Sequence, residues 1–207
     1  LHDRLVSPEV LNLARRDADF ISVGKTPGCR ANSQDEINKL LVDFVAAGKR
    51  VCRLKGGDPF IFGRGGEEAE ALDVAGFHYQ VVPGITAAAG CAASAGIPLT
   101  HREFSQAVVF AAAHGKNSVE NIDWPSLARE RQTITFYMAV NRFPVVMNQL
   151  IEHGRSPDTP LAIIENGTRP EQRVVRGTLG QLTLLADAHR IVAPAMLIIG
   201  EVAALGV

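Results

Sequence analysis

Apolar residues recur at i, i+3, i+4, i+7 and i+8 through Ile37, Leu40, Leu41, Phe44 and Val45, and Ser33-Gln34-Asp35-Glu36 precedes them with the spacing of a capping box. A helix is therefore predicted from Ser33 to its stop at Gly48. Ser7-Pro8 supplies an N-cap and first-turn pair for a shorter helix through Val10, Leu11 and Leu13 that ends near Arg16. Phe20, Ile21 and Val23 form a brief β-type run that stops at Gly24. Residues 49–54 read as a strand broken by Gly56-Gly57-Asp58-Pro59, residues 67–75 as a helix ended by Gly76, and 79–82 as a strand turned by Pro83-Gly84. An Ala-rich helix follows over 85–95. Strands alternating with helices of about ten residues predict an α/β fold with a parallel sheet covered on both faces.

Pro98 to Arg102 reads as the hinge to a second half. There 107–113, 133–139, 161–164, 174–175 and 196–199 are apolar strand candidates, with helices near 126–131, 144–153 and 178–188. The pattern predicts two α/β lobes, 1–98 and 99–207, with no internal repeat and no low-complexity tract.

Composition changes this picture little. In 207 residues, 46% are hydrophobic and 21% charged, which excludes disordered, collagen-like and disulfide-scaffold chains. Lys plus Arg at 21 against Asp plus Glu at 22 gives a net charge of −1, which removes any whole-chain electrostatic case for a nucleic-acid or anionic-membrane partner. Three cysteines, Cys29, Cys52 and Cys91, form no Cys-x-x-Cys pair and read as free thiols of a cytoplasmic protein, with Cys52 and Cys91 expected in the core. Residues 79–100 carry no formal charge, yet Pro83, Gly84, Gly90, Gly96 and Pro98 interrupt them, so no membrane span is expected. The N-terminus lacks the layout of a signal peptide.

The densest candidate for chemistry is the glycine-rich stretch from Leu54 to Glu68, at the end of a predicted strand where open α/β sheets bind ligands. Glycines there let a ligand lie against the backbone, Asp58 accepts hydrogen bonds from an amine or hydroxyl, and Arg64 offers a bidentate donor to a carboxylate or phosphate. A plain glycine-rich turn with a solvated Arg explains the same residues. Gly63-Arg64-Gly65-Gly66-Glu67-Glu68 fails the dinucleotide fingerprint at its last position, and Gly24-Lys25-Thr26 lacks the upstream Gly of a phosphate-binding loop. The six scattered histidines give no metal-ligand spacing, and Ser94 lacks the preceding glycine of a nucleophile elbow. A second candidate runs from Val82 to Gly90, where Thr86 either caps a helix or helps hold a polar group at its N-terminus. A third, weaker one is Ile164 to Arg169.

The strings VCRLKGGDPFIFGRGGEE, VVPGITAAAGCAASAGIPLTHR, TFYMA and ENGTRPEQRVV resemble the tetrapyrrole methylases, most closely those that methylate uroporphyrinogen III, and the likeness covers nearly the whole chain. The resemblance implies a two-lobed α/β homodimer that binds S-adenosylmethionine between its lobes. It implies methylation of two ring carbons of the tetrapyrrole to give precorrin-2, with S-adenosylhomocysteine as product. Carried over by motif, the cofactor contacts fall on Gly56, Gly57, Asp58, Ile61, Thr86, Ala87, Met138 and Gly167. HDRLVS and VGK place a proton acceptor on Asp3 and a proton donor on Lys25, and Arg64 resembles an arginine directed at substrate carboxylates. The family opens with a strand and a Gly-x-Gly-Pro-Gly-Asp loop that this sequence starts after, so the chain is expected to be N-terminally incomplete. Arg30 stands where close relatives have His.

The implied chemistry is consistent with the residues. Attack by a pyrrole carbon on a sulfonium methyl leaves a cationic ring that must lose a proton, and either Asp3 or Lys25 can take it. A polycarboxylate substrate calls for converging arginines, for which Arg64, Arg102 and Arg142 are candidates; Arg102 and Arg142 equally suit a solvated surface. A methylase of a later precorrin and a non-catalytic tetrapyrrole-binding subunit are the alternatives.

Overall fold

The computed structural model describes residues 1–24, 33–113 and 121–205. The chain divides into two compact units, Leu1–Thr86 and Ala87–Val207. The sequence puts the hinge at Pro98; the division falls earlier because the Ala-rich helix is tied to the second unit by hydrogen bonds from its own first and last turns, described below.

In the first unit, α1 (Pro8–Leu11) is capped by Ser7, and α2 (Gln34–Ala46) carries the expected box: Ser33 Oγ accepts from Glu36 N at 3.2 Å, and Glu36 Oε2 accepts from Ser33 N at 2.6 Å. The buried stripe of α2, Ile37 and Leu41, packs with Val23, and Leu1, Ile21, Val51 and Leu72 close over it. Helix α3 (Gly65–Val74) packs beside α2. The predicted parallel sheet is reduced here to isolated parallel bridges, His2 to Ser22 and His2 to Leu54. Residues 79–82 form no strand, and Val82 is 74% exposed. Cys52 is exposed rather than in the core, since its neighbour Val51 faces α2; Cys91 is buried as expected.

The second unit begins with α4 (Ala87–Ser94) and holds a five-stranded sheet of β1 (Ala107–Ala112), β2 (Gln132–Tyr137), β3 (Pro160–Glu165), β4 (Arg173–Thr178) and β5 (Ala195–Ile199). Its order is β1-β2-β5-β3-β4, parallel only between β1 and β2, with β5 antiparallel to β2 and β3, and β4 antiparallel to β3. Alternation puts Ile134, Phe136, Leu161, Ile163, Leu197 and Ile199 in one core cluster with residues of α5 (Trp124–Leu127), α6 (Phe143–Glu152) and α7 (Leu182–Ala188). The other face of β2 presents Thr133, Thr135 and Tyr137, whose hydroxyls are all hydrogen-bonded. No helix among the described residues is long and apolar enough to cross a membrane.

Candidate active site

Three extended segments of the first unit converge on Asp3. Its backbone N donates to Leu54 O at 3.1 Å, so the residue lies beside the strand end that leads into Gly56-Gly57. Its carboxylate, one-third exposed, takes Nη2 of Arg53 on Oδ1 at 2.5 Å. Lys25, the other proton-transfer candidate, lies outside the described residues. Gly24 before it lies against Arg4, where a Cβ would sit 2.5 Å from Arg4 N.

Sequence reasoning missed what stands behind Asp3. Arg53 Nε donates to Glu68 Oε1 at 3.1 Å, Lys55 Nζ donates to both oxygens of Glu68 at 2.9 and 3.0 Å, and Gln34 Nε2 reaches Oε1 at 3.3 Å. Glu68 is only 5% exposed. Its place in a Gly-Gly-Glu-Glu run reads as helix surface, and no local signal marks it as the acceptor for groups 13, 15 and 34 residues away.

The glycine loop is held from inside. Asp58 Oδ1 accepts from Phe60 N at 2.9 Å and Oδ2 from Gly84 N at 3.2 Å. Its side chain thus fastens the loop to the Pro83-Gly84 turn, where the sequence alone suggests direct ligand contact. The two segments touch so closely that a Cβ on Gly84 would collide with the carbonyl oxygen of Gly57, and Gly57 itself has φ +80°. Gly56 and Gly57 are exposed, leaving bare backbone for a ligand to lie on, and Ile61 is half-buried in the same loop. The amide of Phe60, and then that of Gly84, holds the Asp58 carboxyl below its ordinary 3.8. Because the folded value is depressed, the contribution of this clamp is present above the unfolded value and is lost as pH falls through the folded one. The margin of wild type over Asp58→Ala in urea denaturation is therefore expected to be constant from about pH 5 upward and to vanish in stronger acid.

Arg64 has its guanidinium on Glu67, Nε to Oε1 at 2.8 Å and Nη2 to Oε2 at 2.6 Å, with half the side chain in solvent. That hydrogen bond raises its pKa further, so it is a permanent cation. A ligand carboxylate would take Glu67's place on the fork.

In the second unit, β2 and β3 run the same way on either side of β5, with Phe136 and Ile163 both level with Leu197. Their C-terminal ends share one edge, about 10 Å apart across two strand spacings. Met138 follows β2 there, and Asn166-Gly167 follows β3. Tyr137 Oη accepts from Ala88 N at 3.1 Å, which brings Ala87 and the first turn of α4 to the same edge. That backbone N–H, which the sequence left free for an anion, is thereby occupied. Thr86 is buried just before the helix and is already engaged by a hydrogen bond or contact of its own.

The loop after β3 is moulded onto α4. A Cβ on Gly167 would collide with Cys91 Sγ, and Gln172 accepts from Ser94 Oγ at 2.6 Å and from Thr168 N at 2.7 Å. Arg176 donates to Ala95 O at 3.1 Å and to Ala203 O at 2.6 Å, fixing the end of α4. Positive φ values at Phe62, Arg64, Met138, Asn166 and Thr168 put backbone strain in the loops that carry the motifs. Arg142 also follows β2 at this edge. Arg102 does not: it sits in the turn between His101 and Ser105 that leads into the start of β1, at the opposite edge.

Glu165 anchors the edge. It is 2% exposed, accepts from Arg173 Nε at 2.6 Å and takes Val192 N on its other oxygen at 2.8 Å. Removing it strands the Val192 amide, while the half-exposed Arg173 turns to solvent, so Glu165→Ala is expected to cost about 1 to 3 kcal/mol in chemical denaturation.

A family model for tetrapyrrole (corrin/porphyrin) methylases matches residues 1–183. The chain is 54% identical over 205 residues to the siroheme synthase of Pseudoalteromonas translucida (strain TAC 125), an overlap covering 99% of this chain and 43% of that protein. To the siroheme synthase of Tolumonas auensis (strain DSM 9187 / NBRC 110442 / TA 4) it is 56% identical over 206 residues, with the same coverages. It thus spans less than half the length of the curated relatives it matches. Among solved structures it resembles uroporphyrin-III C-methyl transferase from Thermus thermophilus complexed with S-adenyl homocysteine, at 35% identity and TM-score 0.83 over 99% of this chain and 86% of that one. It also resembles cobalt precorrin-4 methyltransferase, at 27% identity and TM-score 0.85, covering 98% and 83%.

Proposed function

The chain belongs to the tetrapyrrole methylases, and on that premise we propose that it methylates two ring carbons of uroporphyrinogen III to give precorrin-2, with S-adenosylmethionine as donor and S-adenosylhomocysteine as product. The observation that carries this reading is the likeness, along nearly the full chain, to the Thermus uroporphyrin-III C-methyl transferase. We propose further that the protein works as a cytoplasmic homodimer, on the grounds of the family resemblance and of free cysteines; sedimentation equilibrium at micromolar concentration tests the dimer, and a monomer would refute it.

The residues present fit such a donor. Exposed glycine backbone at Gly56-Gly57 in the first unit gives a donor bare main chain to lie on, and in the second unit the left-handed Met138 is 48% exposed. S-adenosylmethionine, when bound, supplies an electrophilic methyl on a sulfonium. Gly56, Gly57, Ile61 and Thr86 are the proposed contacts on the first unit, with Asp58 holding the loop, and Ala87, Met138 and Gly167 are those on the second. As the ring carbon gains its methyl, the ring takes a positive charge and is relieved of it by loss of a proton. Asp3 is the proposed acceptor and Lys25 the proposed donor in the accompanying proton movements.

Arg64, with Arg142, is proposed to hold substrate carboxylates; Arg102, at the opposite edge of its sheet, has no support from the structure for that role. Arg64→Ala is expected to raise KM for the tetrapyrrole about tenfold, the worth of one charge-assisted bond, while the dissociation constant for S-adenosylmethionine stays within twofold. Arg64→Lys should rescue only in part, having lost the planar fork.

Incubation with methyl-labelled S-adenosylmethionine and uroporphyrinogen III is expected to put two labels on each ring system. Labelling of precorrin-2 but not of uroporphyrinogen III would instead assign the chain to a later precorrin. Tetrapyrrole binding with no label transferred would make it a binding subunit.

A further inference from the structure

Two buried charges, Lys55 and Glu68, have no place in the proposed reaction. Their side chains are each 6% exposed, and Arg53 between them and Asp3 is 12% exposed. Burying an acid and a base costs several kcal/mol per ion unless each is well paired, and the pairing here is complete. Both Glu68 oxygens accept from Lys55, and Oε1 also accepts from Arg53 and Gln34. The geometry around Arg53 shows what this does. Its Nε is held by Glu68, its Nη1 by Leu54 O at 3.0 Å, and only Nη2 is turned to Asp3. A guanidinium pinned on two sides has one orientation left for the third.

We infer that Glu68 and Lys55 are positioning residues: Glu68 fixes Arg53, Arg53 fixes the carboxylate of Asp3, and Lys55 neutralises Glu68 so that Arg53 remains free to pair with Asp3. The inference rests on the reading of Asp3 as proton acceptor. Four alternating charges, Asp3, Arg53, Glu68 and Lys55, sum to zero, and a change in either distal member alters the field at Asp3 without touching it. On the Asp3 segment the charged or titratable side chains are His2 and Arg4; Gln34 of α2, which reaches Glu68, is neutral, and Lys25 lies outside the described residues.

The test is the pH dependence of single-turnover methyl transfer to uroporphyrinogen III. Glu68→Gln removes a negative charge from the cluster, so the acid limb of the rate should move to lower pH, by on the order of one unit. Lys55→Gln removes a positive charge and should move the limb up by a similar amount. The double variant Lys55→Gln/Glu68→Gln restores the balance and should return the limb toward wild type, and Lys55→Arg should leave it in place. A merely structural role predicts loss of folded protein with no signed shift. Should Glu68→Gln alone not fold, Lys55→Gln and the double variant still carry the comparison. An unmoved limb in folded variants, or movement of both single variants in one direction, overturns the inference while leaving the role of Asp3 intact. An Asp3→Asn protein that keeps its rate and its acid limb overturns Asp3 as acceptor, and no transfer by wild type removes the reaction itself; either takes this inference with it.

Discussion

Asp3→Asn is expected to lower the single-turnover rate of methyl transfer by about 10² or more, within the 10² to 10⁴ range of positioned acid–base catalysis. The amide oxygen of Asn still accepts from Arg53 Nη2, so the contact seen at 2.5 Å survives in kind, and the backbone bond from residue 3 to Leu54 O is untouched. What is lost is the ability to take a proton. Because Asp3 is one-third exposed, and Arg53, itself 12% exposed, keeps its bonds to Glu68 and Leu54 O, the lost charge should cost on the order of 1 kcal/mol and the melting temperature should fall by only a few degrees. The dissociation constant for S-adenosylmethionine should stay within twofold. A rate within twofold of wild type would leave Asp3 as nothing more than the partner of Arg53.

The second large effect is expected at Gly84. An added Cβ there meets the Gly57 carbonyl oxygen, which is backbone and has no rotamer to yield. Gly84→Ala must push the turn off the loop, and the bond from Gly84 N to Asp58 goes with it. Affinity for S-adenosylmethionine should fall at least tenfold, about 1.4 kcal/mol or more. Gly66→Ala is the matched control, since a Cβ there meets nothing and the position is helical. Titration calorimetry distinguishes the two; equal affinities would detach the Gly57–Gly84 contact from cofactor binding.

Several elements were legible because their signal is local. The capping box of α2 and its i, i+3, i+4 stripe are complete within fourteen residues, and the structure reproduces both the bonds and the burial of Ile37 and Leu41. The apolar runs expected at 161–164 and 196–199 are buried strands that extend by one residue at each end in β3 and by one at the start of β5. Direction was not legible: an apolar run reads the same in either sense, and β5 lies antiparallel between β2 and β3. The run at 79–82 has strand composition, yet pairing decides a strand, and composition cannot supply the partner. At the site the glycines were readable as loop formers, whereas the role of Asp58 depends on Gly84, 26 residues on. Glu68 was invisible for the same reason. It lies in the run Gly65-Gly66-Glu67-Glu68, and only the fold reveals that Arg53, Lys55 and Gln34 all point at it.

The proposed reaction is tested most directly by following the carbon itself. With S-adenosylmethionine carrying a ¹³C methyl, and uroporphyrinogen III as the sole acceptor, the NMR spectrum of the product should show two new methyl signals, each on a ring carbon. Labelled methyl found only on precorrin-2 supplied separately, or no labelled methyl on either ring system while the protein remains folded, would contradict it.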